Sequence, residues 1–129
     1  MSKTAIATAA APAALGPYSQ AVVAGDFLFA SGQVPIDPAT GELAGDDVET
    51  QAKQVFENLQ QVLAAAGCGF ADVVKTTVFL TDLGNFAAVN DIYASYFVQP
   101  YPARSCVQIG ALPKGSLLEV ELIAKFPDD

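Results

Sequence analysis

Asp72-Val73-Val74-Lys75-Thr76-Thr77-Val78-Phe79-Leu80 carries a β-branched, apolar run too continuous for an exposed edge. It reads as a central strand. Upstream, Val48, Ala52, Val55, Phe56, Leu59, Val62, Leu63 and Ala66 recur on one helical face. Asp46 or Asp47 is placed to cap that helix, and Gly67 to end it. Downstream, Phe86, Val89, Tyr93 and Phe97 form the stripe of a second helix over about 83–98, started near Asp82 or Asn85 and stopped by Pro100 and Pro102. Strands are expected at 103–109 and 118–126, joined by the turn-forming Leu112-Pro113-Lys114-Gly115. Before the first helix, 20–24 and 27–31 flank Gly25-Asp26 as a hairpin, and the Pro- and Gly-rich 32–45 reads as an ordered loop with room for one short strand. The order ββ(β)αβαββ predicts an α+β fold over 1–129 as a single domain, a mixed β-sheet with two helices packed on one face. The other sheet face is apolar enough to need covering, which a symmetric oligomer supplies.

Few chemistries fit the side chains. The chain has no histidine, and Arg104 is its sole arginine. A planar guanidinium matches a carboxylate or phosphate by two-point contact, and if turned inward it needs an anionic partner. Strand alternation puts Arg104, Cys106 and Gln108 on one face. On the last strand Glu119, Glu121, Ile123 and Lys125 share a face, which would let Glu119 meet Arg104 across the sheet. Spacing alone leaves two readings for the anion facing Arg104: the Glu119 carboxylate in a structural ion pair, or a small anionic ligand. With no histidine as base, a Cys106 nucleophile depends on the field of Arg104 alone, against the plainer reading of a small buried residue. Tyr18 and Ser31 stand at strand ends, where side chains serve turns or line pockets, and Asn90 reads as a capping, solvated or ligand-contacting side chain.

Composition narrows the partners. Six basic against fourteen acidic residues give a net charge of −8, and Lys3, Lys53, Lys75, Lys114 and Lys125 are scattered, so neither nucleic acid nor an anionic membrane is an expected partner. Cys68 and Cys106 lack metal-site spacing and read as reduced thiols. Alanine supplies 23 residues of the 52% apolar content, and some of the remainder is expected between subunits. Pro12 and the threonines interrupt the alanine-rich start, no membrane-spanning run occurs, and a cytoplasmic location is expected.

Several segments together resemble one family along the whole chain. They are Gly16-Pro17-Tyr18-Ser19-Gln20-Ala21, Phe29-Ala30-Ser31-Gly32-Gln33-Val34-Pro35, Gln54-Val55-Phe56-Glu57-Asn58-Leu59, Val74-Lys75-Thr76-Thr77-Val78-Phe79-Leu80, and Pro102-Ala103-Arg104-Ser105 with Leu118-Glu119-Val120-Glu121 downstream. In this order they resemble the Rid family, also called YjgF, and its RidA group. Val120 stands where the pattern favours Ile or Met.

The resemblance implies a homotrimer of chorismate-mutase-like subunits with active sites in the clefts between them. It implies 2-iminobutanoate/2-iminopropanoate deaminase activity: small 2-imino acids, formed by pyridoxal-phosphate-dependent dehydratases, are hydrolysed to 2-keto acids and ammonia with no cofactor and no metal. By matched motif, Arg104 would grip the substrate carboxylate and Glu119 would position or activate water. Cys106 would act through its backbone N–H, and Tyr18, Ser31, the Gly32 backbone and Asn90 would line the pocket. The alternatives within the resemblance are a non-catalytic, small-anion-binding or regulatory trimer, a ribonuclease and a redox-regulated chaperone.

Overall fold

The computed structural model describes residues 2–127. Its sheet has six strands: β1 (Thr4–Ile6), β2 (Ala21–Ala24), β3 (Phe27–Gln33), β4 (Val73–Leu80), β5 (Ala103–Gln108) and β6 (Leu118–Lys125). The spatial order is β1-β2-β3-β6-β4-β5, with only β4 and β5 parallel. Two helices, α1 (Val48–Ala65) and α2 (Phe86–Tyr96), provide the crossovers that lead into β4 and β5. The expected α+β fold, mixed sheet and interior position of 73–80 are all present. The expected elements shift in detail: the alanine-rich start supplies β1, a strand beyond those expected, and 83–85 form a separate 3₁₀ turn before α2, which ends at Tyr96.

Local chemistry accounts for these boundaries. The Asp47 carboxylate accepts the Thr50 N–H at 2.9 Å as the N-cap of α1. Gly67, at φ +82, supplies the left-handed residue just beyond the helix. The buried residues of α1 fall at helical spacing, and Val55, Phe56, Leu59, Val62 and Leu63 have no exposed surface. At about 1.5–3 kcal/mol for each fully buried large apolar side chain, this face outweighs any single cap. Both helices cover one side of the sheet, where Leu28, Val78, Leu80, Leu118, Val120, Leu122 and Ala124 complete the core.

Two buried polar residues of α1 connect the core to the loops beyond the sheet. Asn58 Nδ2 donates to the carbonyls of Val34 at 3.2 Å and Ile36 at 2.9 Å. Gln51 Nε2 donates to the Gly45 carbonyl at 2.8 Å, and its Oε1 accepts the Leu117 N–H at 2.8 Å. A buried amide left without partners is costly, so these loops are held to the helix. Those loops wall one of the cavities described below.

Candidate functional site

Register separates the two charged residues that the sequence reading paired. Arg104 lies beside Thr76 and, across β4, in line with Leu122; Thr76 and Leu122 are buried beneath the helices. Glu119 pairs with Phe79 and alternates with the buried Leu118 and Val120, so it points to the opposite, open face. The expected encounter of Arg104 and Glu119 across the sheet therefore does not occur within one chain. The alternation along each strand holds, but β4 stands between β5 and β6, and its register puts the two side chains on opposite faces. The structural ion pair falls with it.

Glu119 lines a cavity of about 710 Å³ together with Tyr18, Ser31, Gly32 and Lys114. A β-bulge between Ala30 and Gln33 turns Ser31 and Gly32 toward this space. Ser31 Oγ donates to the Ser19 carbonyl at 2.6 Å, and its N–H donates to the Gln20 carbonyl at 2.9 Å, so β3 is tied to the segment bearing Tyr18. The buried Gln20 amide holds that segment by donating to the carbonyls of Thr8, Ala11 and Pro12. A Cβ on Gly32 would land on Glu119 Oε2 and lie 2.7 Å from Cδ and 2.9 Å from Cγ, so the carboxylate needs a glycine there. Lys114 Nζ donates to the Gly41 carbonyl at 3.0 Å, joining two loops at the rim. Burial pushes the Glu119 carboxyl above the usual carboxylate range, and the charge of Glu121 on the same face adds to the rise.

Arg104 lines a second cavity, of about 540 Å³, with Asn90, Tyr93 and Tyr101. It is exposed rather than turned inward, and no carboxylate among the described residues pairs with it. Its Nη1 donates to Asn90 Oδ1 at 2.6 Å, and its Cζ sits 4.8 Å from the Tyr93 ring centroid and 5.3 Å from that of Phe86. Asn90 is thus a partner of the arginine, not a cap or a merely solvated side chain. Helical spacing places Tyr93 and Phe86 on the α2 stripe without relating them to Arg104. The missed signal is that an inward-facing residue near the end of a helix also overhangs the edge strand packed beneath it. Cys106, two residues along the same face, is half-buried; burial pushes its thiol up, and the opposing pull of Arg104 is the smaller influence. That is the environment of an unreactive thiol.

Each chain therefore presents two sets of groups. One holds Tyr18, Ser31, Gly32 and Glu119; the other holds Arg104 and Asn90, with Cys106 behind them. Among the described residues no helix is long and apolar enough to cross a membrane.

The comparisons with known proteins agree along the chain. The family described as endoribonuclease L-PSP matches residues 8–126. A RutC family protein of Sinorhizobium fredii is 53% identical over 118 residues, covering 92% of this chain and 94% of that protein. The human protein named 2-iminobutanoate/2-iminopropanoate deaminase is 50% identical over 119 residues, covering 92% of this chain and 87% of its own. The crystal structure of RidA from an Antarctic Psychrobacter superposes with a TM-score of 0.92 at 47% identity, covering 95% of this chain and 99% of that one. With a matched domain spanning nearly its whole length and relatives at about half identity, the chain belongs to the endoribonuclease L-PSP family, the Rid family of its sequence motifs.

Proposed function

We propose that the protein hydrolyses small 2-imino acids to 2-keto acids and ammonia, in sites completed where the Arg104 side of one subunit meets the Glu119 side of another within a homotrimer. The observation that carries this reading is the division of an anion-binding group and a proton-accepting group between opposite sheet faces. The Arg104 guanidinium makes only one hydrogen bond among the described residues, so the fork keeps donors for a ligand carboxylate. The apolar open face supports assembly: Phe29 is 42% exposed and Val107 43% exposed in the isolated chain. The human relative's name supports the choice of reaction.

The chemistry needs no nucleophilic side chain. In the protonated imine, the C=N carbon accepts a water oxygen while the C=N π pair moves to nitrogen. Glu119 takes the water's proton and returns it to the amine of the carbinolamine; the C–N bond then breaks with its pair leaving on ammonia, the hydroxyl oxygen forms the carbonyl, and the hydroxyl proton passes back to Glu119 and on to the departing ammonia. A carboxylate above its usual range is better matched to proton transfer near neutrality than an ordinary one, and its charge favours the iminium form. Arg104 fixes the substrate through its carboxylate, with Asn90 steadying the guanidinium. Tyr18, Ser31 and the Gly32 backbone line the space around the reacting carbon. The Cys106 contribution runs through its backbone N–H. The family's ribonuclease description finds little support in this chain, whose charge is −8 and whose lysines are scattered.

The test generates 2-iminobutanoate in situ with a threonine dehydratase and follows imine loss with and without the protein. Faster conversion to 2-oxobutanoate and ammonia is expected. An unchanged rate, with 2-oxobutanoate still bound, would replace catalysis by the anion-binding alternative.

A further inference from the structure

The position of Arg104 raises a physical problem. An arginine on an exposed edge strand ordinarily samples many rotamers, and two-point recognition of a carboxylate requires one. A single hydrogen bond to Asn90 leaves the guanidinium plane free to swing about that contact. We infer that Tyr93 is a positioning residue for Arg104: its ring is an aromatic platform that sets the guanidinium plane, with Phe86 as the second wall. The inference rests on the substrate-binding role proposed above for Arg104.

The geometry supports this at three levels. Tyr93 is 5% exposed, so its ring is fixed by the protein rather than by solvent. Its hydroxyl shares a 2.8 Å hydrogen bond with the fully buried Thr76 hydroxyl, and Thr76 is the β4 residue in register with Arg104. The residue beside the arginine on the sheet therefore fixes the ring that meets the guanidinium. Phe97 stacks on the Tyr93 ring at 4.3 Å and Phe56 meets it edge-on at 5.8 Å, holding it from the core side. The guanidinium occupies the cavity side, at a cation–π separation from both Tyr93 and Phe86. Stacking uses the faces of the guanidinium and leaves its edge, where the N–H donors lie, for a ligand carboxylate.

A purely structural Tyr93 would change stability without changing Arg104. The sole arginine makes the distinction measurable, because the Nε–Hε correlation of the ligand-free protein in a nitrogen–proton NMR spectrum belongs to Arg104 alone. In the wild type this signal is expected upfield of a solvated arginine, shifted by the two rings. Tyr93→Leu should return it toward the solvated position. The same change should weaken 2-oxobutanoate binding and raise KM by about tenfold, with kcat altered less than about threefold, the scale of a cation–π contact plus lost pre-organisation. Tyr93→Phe, which keeps the ring and loses the hydroxyl, should recover most of the shift and of the KM while lowering Tm. Should Tyr93→Leu fail to fold, Phe86→Leu, at a partly exposed position, should give a smaller loss of the same shift. A folded Tyr93→Leu or Phe86→Leu protein with an unmoved Arg104 signal and unchanged 2-oxobutanoate affinity overturns the inference. If the wild type hydrolyses no imine yet Tyr93→Leu moves the Arg104 signal and weakens 2-oxobutanoate binding, the deaminase reading fails and the platform stands.

Discussion

The Glu119 cavity and the Arg104 cleft are built on different principles. Glu119 lies among strands and loops braced from below, by Gln20 on one side and by Asn58 and Gln51 of α1 on the other. Arg104 lies on an edge strand, exposed, and is held by one hydrogen bond and two aromatic rings. The first region shifts a proton equilibrium by withholding water; the second presents a permanent cation that no burial needs to tune. An acid–base group gains from a partly desolvated setting, whereas an anion receptor must keep its donors open until the ligand arrives. Under the proposed reaction the two requirements conflict at one spot, and the sheet places the two groups on opposite faces.

The largest effect that would sharpen this contrast is the loss of the receptor. Arg104→Ala should lower kcat/KM by at least about a hundredfold, the scale of losing charge-assisted, two-point contacts, with Lys leaving a small remnant. Steady-state kinetics on an intact oligomer checks this; near-wild-type activity in the Ala variant would remove Arg104 from the site.

Next comes the support of the carboxylate. Gly32→Ala should displace Glu119 and lower kcat by about tenfold or more, since misplacement by about an ångström carries penalties of this order or above. Shortening the acid in the double variant Gly32→Ala with Glu119→Asp should recover part of that loss. If Gly32→Ala alone costs nothing, the carboxylate does not depend on the close approach.

A smaller change tests the desolvated side through pH. In the proposed reaction Glu119 acts ionised, and its folded pKa is raised, so the acid limb of kcat/KM should lie above the ordinary carboxylate range, with activity falling as pH drops through it. Glu121→Gln removes the secondary cause of the rise, so the limb should move to lower pH while burial keeps it above the usual value. Stability runs the other way: the unfolded chain ionises Glu119 first, so the raised pKa lowers stability as pH climbs from the unfolded through the folded value. Glu119→Gln should therefore raise Tm near neutral pH and lose that advantage in acid. A limb that Glu121→Gln leaves in place would assign it to another group. The smallest effect is expected at Cys106: Cys106→Ala and Cys106→Ser should keep activity within a few-fold, because the backbone is retained and the thiol is pushed up by burial. Complete loss in a folded Ala variant would restore a covalent role.

Sequence periodicity carried most of the fold. The α1 stripe, the Asp47 cap, the Gly67 terminator and the interior strand 73–80 are local patterns, so they can be read without tertiary information. β1 escaped because Thr4-Ala5-Ile6 has no strand signature of its own and is ordered by pairing with β2. The site residues were legible by type and motif, but their grouping was not. Alternation assigned Arg104 and Glu119 to faces of separate strands, whereas relating those faces required the spatial order β6-β4-β5 and its register. Tyr93 shows the same limit, since a helix stripe marks it as inward-facing without saying which strand lies beneath.

The central claim is that Glu119 and Arg104 act in one site only when supplied by different subunits. Its most direct measurement is complementation between two inactive proteins, Arg104→Ala and Glu119→Gln, mixed after trimer dissociation and reassociated, with mixed trimers verified by native mass. In a closed trimer each mixed assembly regains one intact site, so random exchange should restore about a quarter of wild-type activity from two nearly inactive parents. Verified mixed trimers that show no activity above the parents, or a fully active monomer, would contradict the account.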